Sequence, residues 1–340
     1  MANDPIEVPA SRQEAIKLIA AELHDGQQVA LSTHMNSDGD GCGSEIALGL
    51  LLGQMGVKAR IVNPTPWPAM FGYLNSPLVP DRSADGDKAL RGIDRLLVLD
   101  ISDVRRLGGL ADTVRALSPT PLTIDHHLPG DEPPGDIIFS DTTACATGEL
   151  IYDFARTLDL QITPEIATAL YTAILTDTGG FRFSNTSPRC HAIASRLLAA
   201  GVSPEEMYRR IYASVPRGRL GLLRDALDSL GVDEEAGIAW VSIQAGALEK
   251  YGVTGEDLDG IAEYPRSVAG VQLALLFRDL GHGKVKISFR SVGTVDSNAL
   301  ARQFGGGGHA RASGALVSGT LDSVRNSVIA AARSMIGARP

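Results

Sequence analysis

Aromatic residues, cysteines and long apolar runs are all scarce in this 340-residue chain. Aromatic side chains make up only 5% of it, so we expect mainly aliphatic cores. Cys42, Cys145 and Cys190 are too few and too widely spaced for a disulfide framework or a CxxC zinc site, which indicates a reducing compartment. The apolar runs are too short to span a bilayer, and the chain does not start with the pattern of a signal peptide. We therefore expect a cytoplasmic protein without a membrane segment.

Basic residues are also in the minority. The chain has 31 Lys and Arg against 40 Asp and Glu, which gives a net charge of −9. A protein that follows a long nucleic acid usually carries a basic stripe, and here the basic residues form only small groups. We therefore expect short or small substrates and no long nucleic acid. With 44% hydrophobic residues, the chain can bury the cores of two ordinary domains.

Strand and helix patterns alternate through the first part of the chain, which predicts an α/β fold with a doubly wound parallel sheet. The predicted strands are 28–33, 59–62, 95–101 and 122–125. We predict a first domain over residues 12–200 and a helical linker over 201–230. A smaller α/β domain is predicted over 231–340.

Four apolar segments run into residues that can bind metal ions. The residues are His34, Asp38 and Asp40 after 28–33, Asp100 after 96–99, Asp125, His126 and His127 after 122–124, and Asp177 after 167–175. Ligands of an open parallel sheet bind beyond the carboxyl ends of its strands. Each motif alone could be a helix cap or a solvated turn, but together they predict a site for two divalent ions. Carboxylates with imidazoles favour Mn²⁺ or Mg²⁺ over a structural zinc, which prefers thiolates.

A second set of residues could bind phosphate. A run of four glycines, 305–308, can present several backbone N–H groups to an anion, although the same run could be a flexible turn. Arg290 ends a predicted strand and could equally be a surface charge. The substrate-binding candidates are Gly306, Gly307, Gly308, His309, Arg311, Arg290, Ser291 and Arg182.

Taken in order, the metal-type motifs resemble the four motifs of the DHH phosphoesterases, and the glycine run with His309 resembles the signature of the DHH-associated domain. Their spacing and the chain length are similar to those of the short bacterial members, the nanoRNase (oligoribonuclease) and adenosine-bisphosphate phosphatase group. Ser37 departs from the pattern, since a proline is expected before Asp38. That position shapes the turn and is not expected to bind metal.

The resemblance implies that residues 12–200 form the catalytic, metal-binding domain and residues 231–340 the substrate-binding domain. It also implies a role for each site residue. His34 and Asp38 would bind one ion, while Asp40, His126 and Asp177 would bind the other, with Asp100 between them. His127 would contact the scissile phosphate or assist the leaving group, and Asp125 would orient a histidine. The expected ions are two Mn²⁺, with Mg²⁺ or Co²⁺ as alternatives. The active site would lie in a cleft between the domains, and a homodimer would be compatible with the family.

The implied activity is that of a Mn²⁺-dependent phosphodiesterase and phosphatase with a bridging-hydroxide mechanism. Its substrates would be short 5′-phosphorylated oligonucleotides such as pApA, cleaved to mononucleotides, and adenosine 3′,5′-bisphosphate (pAp) as a second substrate. A cyclic dinucleotide (c-di-AMP) phosphodiesterase is the alternative, because the catalytic motifs do not separate the two. A non-catalytic nucleotide-binding module would require the loss of a metal ligand, and every expected ligand is present.

Overall fold

The structure is a computed structural model that describes residues 6–258 and 260–337, without the side chains of Glu256 and His309. The chain forms two compact units, which divide between Ala213 and Ser214. The division falls inside the predicted linker of 201–230, whose role stays a prediction.

The first unit contains a parallel sheet with helices on both faces. Its elements are α1 (Ala10–Ala20), β1 (Gln28–Ser32), α2 (Gly39–Gln54), β2 (Lys58–Ile61), β3 (Arg95–Leu99), α3 (Ala111–Arg115), β4 (Leu122–Asp125), β5 (Ile137–Ser140), α4 (Thr147–Thr157), α5 (Pro164–Asp177), α6 (Pro188–Ala199) and α7 (Pro204–Tyr212). Three 3-10 helices cover Ala69–Leu74, Ser83–Leu90 and Val104–Leu110.

The five strands of this sheet lie in the order β2-β1-β3-β4-β5, and every pair is parallel. Alternate residues of β3 point to opposite faces, as the pleat requires. Leu97 and Leu99 join the core formed with α2, α4 and α5, while Leu96 and Val98 join a second core with α3. The predicted doubly wound parallel sheet is therefore confirmed.

The second unit has a separate, mixed sheet. Its elements are α8 (Arg217–Asp228), β6 (Gly231–Asp233), β7 (Ile238–Ile243), α9 (Ala247–Tyr251), a 3-10 helix (Glu256–Leu258), α10 (Glu263–Arg266), β8 (Leu273–Asp279), β9 (Lys284–Ser291), α11 (Ser297–Gln303), β10 (Gly307–His309), β11 (Ala312–Ser318) and α12 (Leu321–Gly337). The strand order is β10-β11-β9-β8-β7-β6, and only the β7–β8 pair is parallel. The predicted smaller α/β unit is confirmed.

Two elements of the first unit differ from the sequence prediction. The edge strand β5 was not predicted, because it is short, follows Pro133, Pro134 and Gly135, and leaves Ile138 exposed. The sequence pattern predicts a helix from Ser44 to Met55, but α2 begins at Gly39. Within the described residues, no helix is both long and apolar enough to cross a membrane.

The early start of α2 follows from its packing. The Asp38 carboxylate accepts hydrogen bonds from the amides of Asp40 and Gly41 and so caps the helix. Glycines lower helix propensity, but a Cβ on Gly43 would lie 2.4 Å from the carbonyl oxygen of Ala169 in α5. The close approach of α2 to α5 therefore requires a residue without a side chain. It also places Asp40 in the first turn of α2, beside the end of α5.

Candidate metal centre

Three neighbouring strands bring the metal-type side chains to one edge of the first sheet. β1 ends shortly before His34, β3 ends directly before Asp100, and β4 ends at Asp125. Since these strands are parallel neighbours, their carboxyl ends lie side by side. The connection after β1 leads to α2 on one face of the sheet, and the connection after β3 leads to α3 on the other. A crevice opens at such a switch point, which is where ligands bind in this class of fold.

His34, Asp38 and Asp100 form the first group of ligand-type residues, close enough together to hold one ion. His34 Nε2 lies 3.6 Å from Asp38 Oδ2 and 3.5 Å from Asp100 Oδ2. The side chains of His34 and Asp100 are buried, whereas that of Asp38 is 58% exposed. Ser37, which replaces the expected proline, donates its hydroxyl to the carbonyl oxygen of His34 and thereby closes the same turn.

Asp40, His126 and Asp177 form the second group. His126 Nε2 lies 3.6 Å from Asp40 Oδ2 and 3.7 Å from Asp177 Oδ2. Asp40 lies in the first turn of α2 and Asp177 ends α5, so the close packing of these two helices brings the carboxylates together. Asp177 therefore reaches the site from a helix, and the other motifs reach it from strand ends.

Asp100 belongs to the first group and forms a further group with His126 and His127, so it also faces the second group. Its Oδ2 faces His34, while its Oδ1 lies 3.6 Å from His126 Nε2 and 3.6 Å from His127 Nδ1. Its backbone is left-handed, with φ of +61°, a conformation that is uncommon for a residue other than glycine and typical of functional sites. A carboxylate whose two oxygens face different ligand groups is suited to bridge two ions.

Two buried imidazole nitrogens support a metal site independently. His34 Nδ1 lies 2.9 Å from the carbonyl oxygen of Met35, and His126 Nδ1 lies 3.3 Å from that of Ala144. A carbonyl can only accept, so each Nδ1 carries a proton, and in the neutral imidazole that binds metal Nε2 would present its lone pair. Both Nε2 atoms are buried and lack a hydrogen-bond partner in the part of the chain that the structure describes. A metal ion would satisfy these atoms, and a carbonyl on Nδ1 is the usual arrangement for a histidine ligand.

The charges of the cluster also fit divalent cations. Burial raises the pKa of Asp40 well above its usual range, and the carboxylates of Asp100 and Asp177 raise it further. The pKa of Asp177 is likewise raised, to about 6. Burial is the main cause, the charge of His126 opposes the increase, and the charge of Asp100 adds to it. Buried like charges repel one another unless a cation neutralises them. The donor set of carboxylates and imidazoles therefore fits hard or borderline divalent ions.

Asp125 and His127 form a pair beside the cluster. His127 Nδ1 lies 2.8 Å from Asp125 Oδ1, and Asp125 is buried while His127 is about one-third exposed. Burial lowers the pKa of His127, but the hydrogen bond to Asp125 and the charge of Asp100 outweigh burial and raise it. Asp125 thus occupies Nδ1 and leaves Nε2 for other partners. The catalytic roles of both residues stay predictions.

Arg182 lies in the loop after α5, and its Nε donates to the carbonyl oxygen of Gly179 at 2.6 Å. The preceding Phe181 packs against the first core and stacks on the ring of His191 at a centroid distance of 5.1 Å. Phe181 is therefore a packing residue, whereas Phe183 is 48% exposed. Contact between Arg182 and a phosphate stays a prediction.

The substrate-binding candidates of the second unit lie together around the β10–β11 hairpin. Arg290, on β9, pairs with Ala312 on β11, and the amide of Ser291 donates to the carbonyl oxygen of Arg311. The Ser291 hydroxyl is buried and donates to Ala310, so it is already occupied. The Arg311 side chain is exposed, whereas that of His309 lies outside the described residues.

The glycine run is an ordered part of this hairpin. Gly307 and Gly308 form β10 with His309, and a Cβ on Gly306 would lie 2.1 Å from the carbonyl oxygen of Gly314. Gly306 is therefore required by packing. A Cβ on Gly307 would meet only Asn298 Oδ1, at an ordinary contact distance of 4.0 Å. Phosphate binding by the run stays a prediction.

Sequence reasoning missed Thr147, Gly148 and Asn185, which orient the metal-type residues. The amides of Thr147 and Gly148 donate to the two oxygens of Asp40 at 2.6 and 2.9 Å. Asn185 Nδ2 donates to Asp177 Oδ2 at 3.1 Å. The sequence pattern predicts a helix from Thr143 to Leu158, which places Thr147 inside it, whereas α4 begins at Thr147 and leaves that amide free to bind Asp40. No sequence signal marked Asn185.

Relatives of the chain cover nearly its whole length. It is 31% identical to the bifunctional oligoribonuclease and PAP phosphatase NrnA of Thermus thermophilus, over 94% of this chain and 94% of the relative. Its identity to the Bacillus subtilis protein of the same name is 28%, over 90% of this chain and 93% of that protein. An exopolyphosphatase-related protein from Bacteroides fragilis has a similar structure, with a TM-score of 0.87 and 27% identity, over 96% of this chain and 98% of that one.

Two family models also match, in the order that the motifs predict. The N-terminal domain of the DHH family matches residues 28–174, which include most of the ligand-type residues. The DHHA1 domain matches residues 238–337, which include the glycine run. The resemblance inferred from the motifs is therefore confirmed. The chain belongs to the DHH family, carries a DHHA1 domain in its second unit, and is a phosphoric ester hydrolase.

Proposed function

We propose that this protein hydrolyses short 5′-phosphorylated oligonucleotides, including pApA, to mononucleotides, and removes the 3′-phosphate of pAp. The observation that carries the proposal is the pair of ligand groups that meet at Asp100, each with a buried histidine Nε2 lacking a partner among the described residues. The names of the relatives support the choice of substrates, because they describe oligoribonuclease and PAP phosphatase activities.

The proposed site holds two divalent ions, with Mn²⁺ as the expected metal. His34, Asp38 and Asp100 would hold one ion, and Asp40, His126 and Asp177 would hold the other, with Asp100 shared. When bound, two such ions would supply the positive charge that activates a water near neutral pH and stabilises the charge on the phosphate oxygens. The carboxylate-rich set favours Mn²⁺ or Mg²⁺, and its imidazoles favour Mn²⁺ between these two.

The residues beside the metal ligands bind and orient the phosphate. Asp125 holds the proton of His127 at Nδ1, which leaves Nε2 to contact the scissile phosphate or the leaving oxygen. The negative charges of Asp125 and Asp100 favour the protonated imidazole, which can stabilise a phosphate and donate a proton. In the second unit, Arg290, Arg311, His309 and the amides near Gly307 are proposed to bind the rest of the nucleotide.

Product analysis with Mn²⁺ and three parallel substrates tests the proposal: pApA, c-di-AMP and pAp. We expect AMP from pApA, phosphate from pAp, and little attack on the cyclic compound. Preferred opening of c-di-AMP would replace the proposal with the cyclic dinucleotide phosphodiesterase. Inactivity towards all three substrates, with metal bound, would contradict it. The Asp100→Asn variant, purified in parallel, controls for contaminating nucleases.

A further inference from the structure

A short segment, residues 144–148, contacts most of the second ligand group. It comprises the end of the loop that follows β5 and the first two residues of α4, and all five of its residues are buried. Two of its amides hold Asp40, as described above, and the carbonyl oxygen of Ala144 holds Nδ1 of His126 at 3.3 Å. The carbonyl oxygen of Cys145 accepts from Asn185, whose same amide nitrogen donates to Asp177. Asp40, His126 and Asp177 are thus all oriented from this one segment.

The segment also reaches the shared carboxylate. The Thr147 hydroxyl lies 3.1 Å from Asp100 Oδ1, the oxygen that faces His126. His34, in the first ligand group, is held instead by the carbonyl oxygen of Met35. A displacement of the 144–148 segment would therefore disturb the second ligand group more than the first.

A buried ion-pair network anchors the segment through Glu149. Glu149 Oε2 accepts from the amide of Cys145 at 3.0 Å, while its Oε1 accepts from Arg12 at 2.7 Å and from Arg189 at 3.2 Å. Glu149 is 1% exposed and Arg12 is 3% exposed. Buried ionic groups contribute little net stability compared with apolar packing, so their use here suggests a demand for a defined geometry.

We propose that Glu149 is a positioning residue for the metal ion held by Asp40, His126 and Asp177. Through the Cys145 amide it holds the 144–148 segment in the conformation whose amides and carbonyls orient those three ligands. The inference rests on the two-metal site of the proposed function and adds a residue that has no contact with metal or substrate.

Asp153 provides a matched control. It lies one helical turn after Glu149 in α4, is fully buried, and accepts hydrogen bonds from the same Arg12 and Arg189. Within the described residues its carboxylate has no bond to the 144–148 segment. Glu149→Gln and Asp153→Asn therefore remove one buried charge each from the same network, but only the first acts on the Cys145 bond.

Calorimetric titration of the metal-free full-length protein with MnCl₂ alone tests the proposal. We expect two binding steps for the wild type. In Glu149→Gln, one step should weaken by about 10–100-fold, the range seen when groups that orient metal ligands are lost, while the other changes little. In Asp153→Asn, the Mn²⁺ affinities of both steps should stay within about 2-fold of the wild type, even if its melting temperature falls as far as that of Glu149→Gln. Equal effects of the two variants would show a merely structural role and overturn the proposal.

Thr147 gives a second, independent test if Glu149→Gln does not fold. Thr147→Val keeps the shape and the backbone amide but removes the hydroxyl that contacts Asp100, and Thr147→Ser restores a hydroxyl. We expect weaker Mn²⁺ binding in the valine variant and recovery in the serine variant. Wild-type affinity in both would overturn the role of the segment, whereas a wild type that binds no Mn²⁺ would overturn the two-metal proposal itself.

Discussion

At Asp100, a single carboxylate faces both ligand groups from a left-handed backbone position at the end of β3. The neighbouring His34 and His126 are each bound through Nδ1 to a carbonyl, so their Nε2 atoms can serve only the site. Residue type and backbone position therefore act together here. An asparagine has a single, uncharged carbonyl oxygen and could not present an anionic oxygen to both groups.

We expect Asp100→Asn to reduce hydrolysis of pApA and pAp by about 10²–10³-fold, the typical effect of losing a group that stabilises transition-state charge. The amide keeps the shape but removes the charge that the two ligand groups share. Initial rates at saturating Mn²⁺ measure the effect. Asp112→Asn, which changes an exposed carboxylate paired with Arg115, should retain wild-type rates. Full activity in the Asp100 variant would contradict the two-metal site.

Asp125→Asn should separate catalysis from metal binding. The variant loses the negative charge that orients His127 and favours its protonated form. We therefore expect kcat to fall by about 10–100-fold, with an unchanged number of bound metal ions. Steady-state kinetics and metal analysis of the same preparation measure the two effects. Loss of metal in proportion to activity would show that Asp125 instead supports the metal ligands.

Helix α2 connects the site to the rest of the first unit. Its N-terminus carries Asp38 and Asp40, and its middle carries Glu45, which is fully buried beside the end of β2. Asn63 donates to Glu45 Oε2 at 2.9 Å and accepts from the amide of Thr33, the residue before His34. Burial raises the pKa of Glu45 to about 8, and Asp81 adds to the effect while the hydrogen bond from Asn63 opposes it. The raised pKa favours the protonated form of this buried acid.

We expect Glu45→Gln to reduce the dependence of stability on pH. A carboxyl whose pKa is raised in the folded state binds its proton more tightly there. The stability that this proton contributes to the wild type is therefore fully present below the unfolded pKa of about 4.5. It falls by up to about 1.4 kcal/mol per pH unit until the pH reaches the folded pKa of about 8. Glutamine stays neutral at every pH and can still accept from Asn63.

Urea unfolding of both proteins in EDTA, at several pH values from 4.5 to 8, measures this effect. Other groups titrate in both proteins, so the difference between their free energies of unfolding isolates Glu45. The variant should gain stability relative to the wild type as the pH rises. A difference that does not change with pH would contradict a buried, protonated Glu45.

For the whole molecule, the net charge of −9 includes the carboxylates that crowd the proposed metal site. The predicted separation into a parallel α/β unit and a smaller α/β unit is confirmed, and the described residues contain no membrane-spanning helix. The cytoplasmic location, the homodimer and the position of the active site between the units stay predictions. The three cysteines are free and buried.

Metal removal should destabilise the whole protein, because the clustered carboxylates then repel one another. We expect Mn²⁺ at about 100 times its dissociation constant to raise the free energy of unfolding by about 2.7 kcal/mol per site relative to EDTA. Thermal unfolding with and without Mn²⁺ measures this shift, with NaCl at equal ionic strength as the control for screening. If Mn²⁺ stabilised the Asp100→Asn variant against thermal unfolding by the same amount, the stabilising ions would bind at a site other than the one proposed.

The sequence alone determined the residue types of the candidate site, the strand ends that carry them, the two-unit α/β organisation and the family. It could do so because the motifs are local and the carboxyl ends of parallel strands share one edge. Only the tertiary structure decided that Asp100 faces both ligand groups, that α2 begins at Gly39, and that Thr147, Gly148 and Asn185 orient the ligands. These features depend on helix packing and on backbone amides, which every residue type carries and which therefore leave no signal in the sequence.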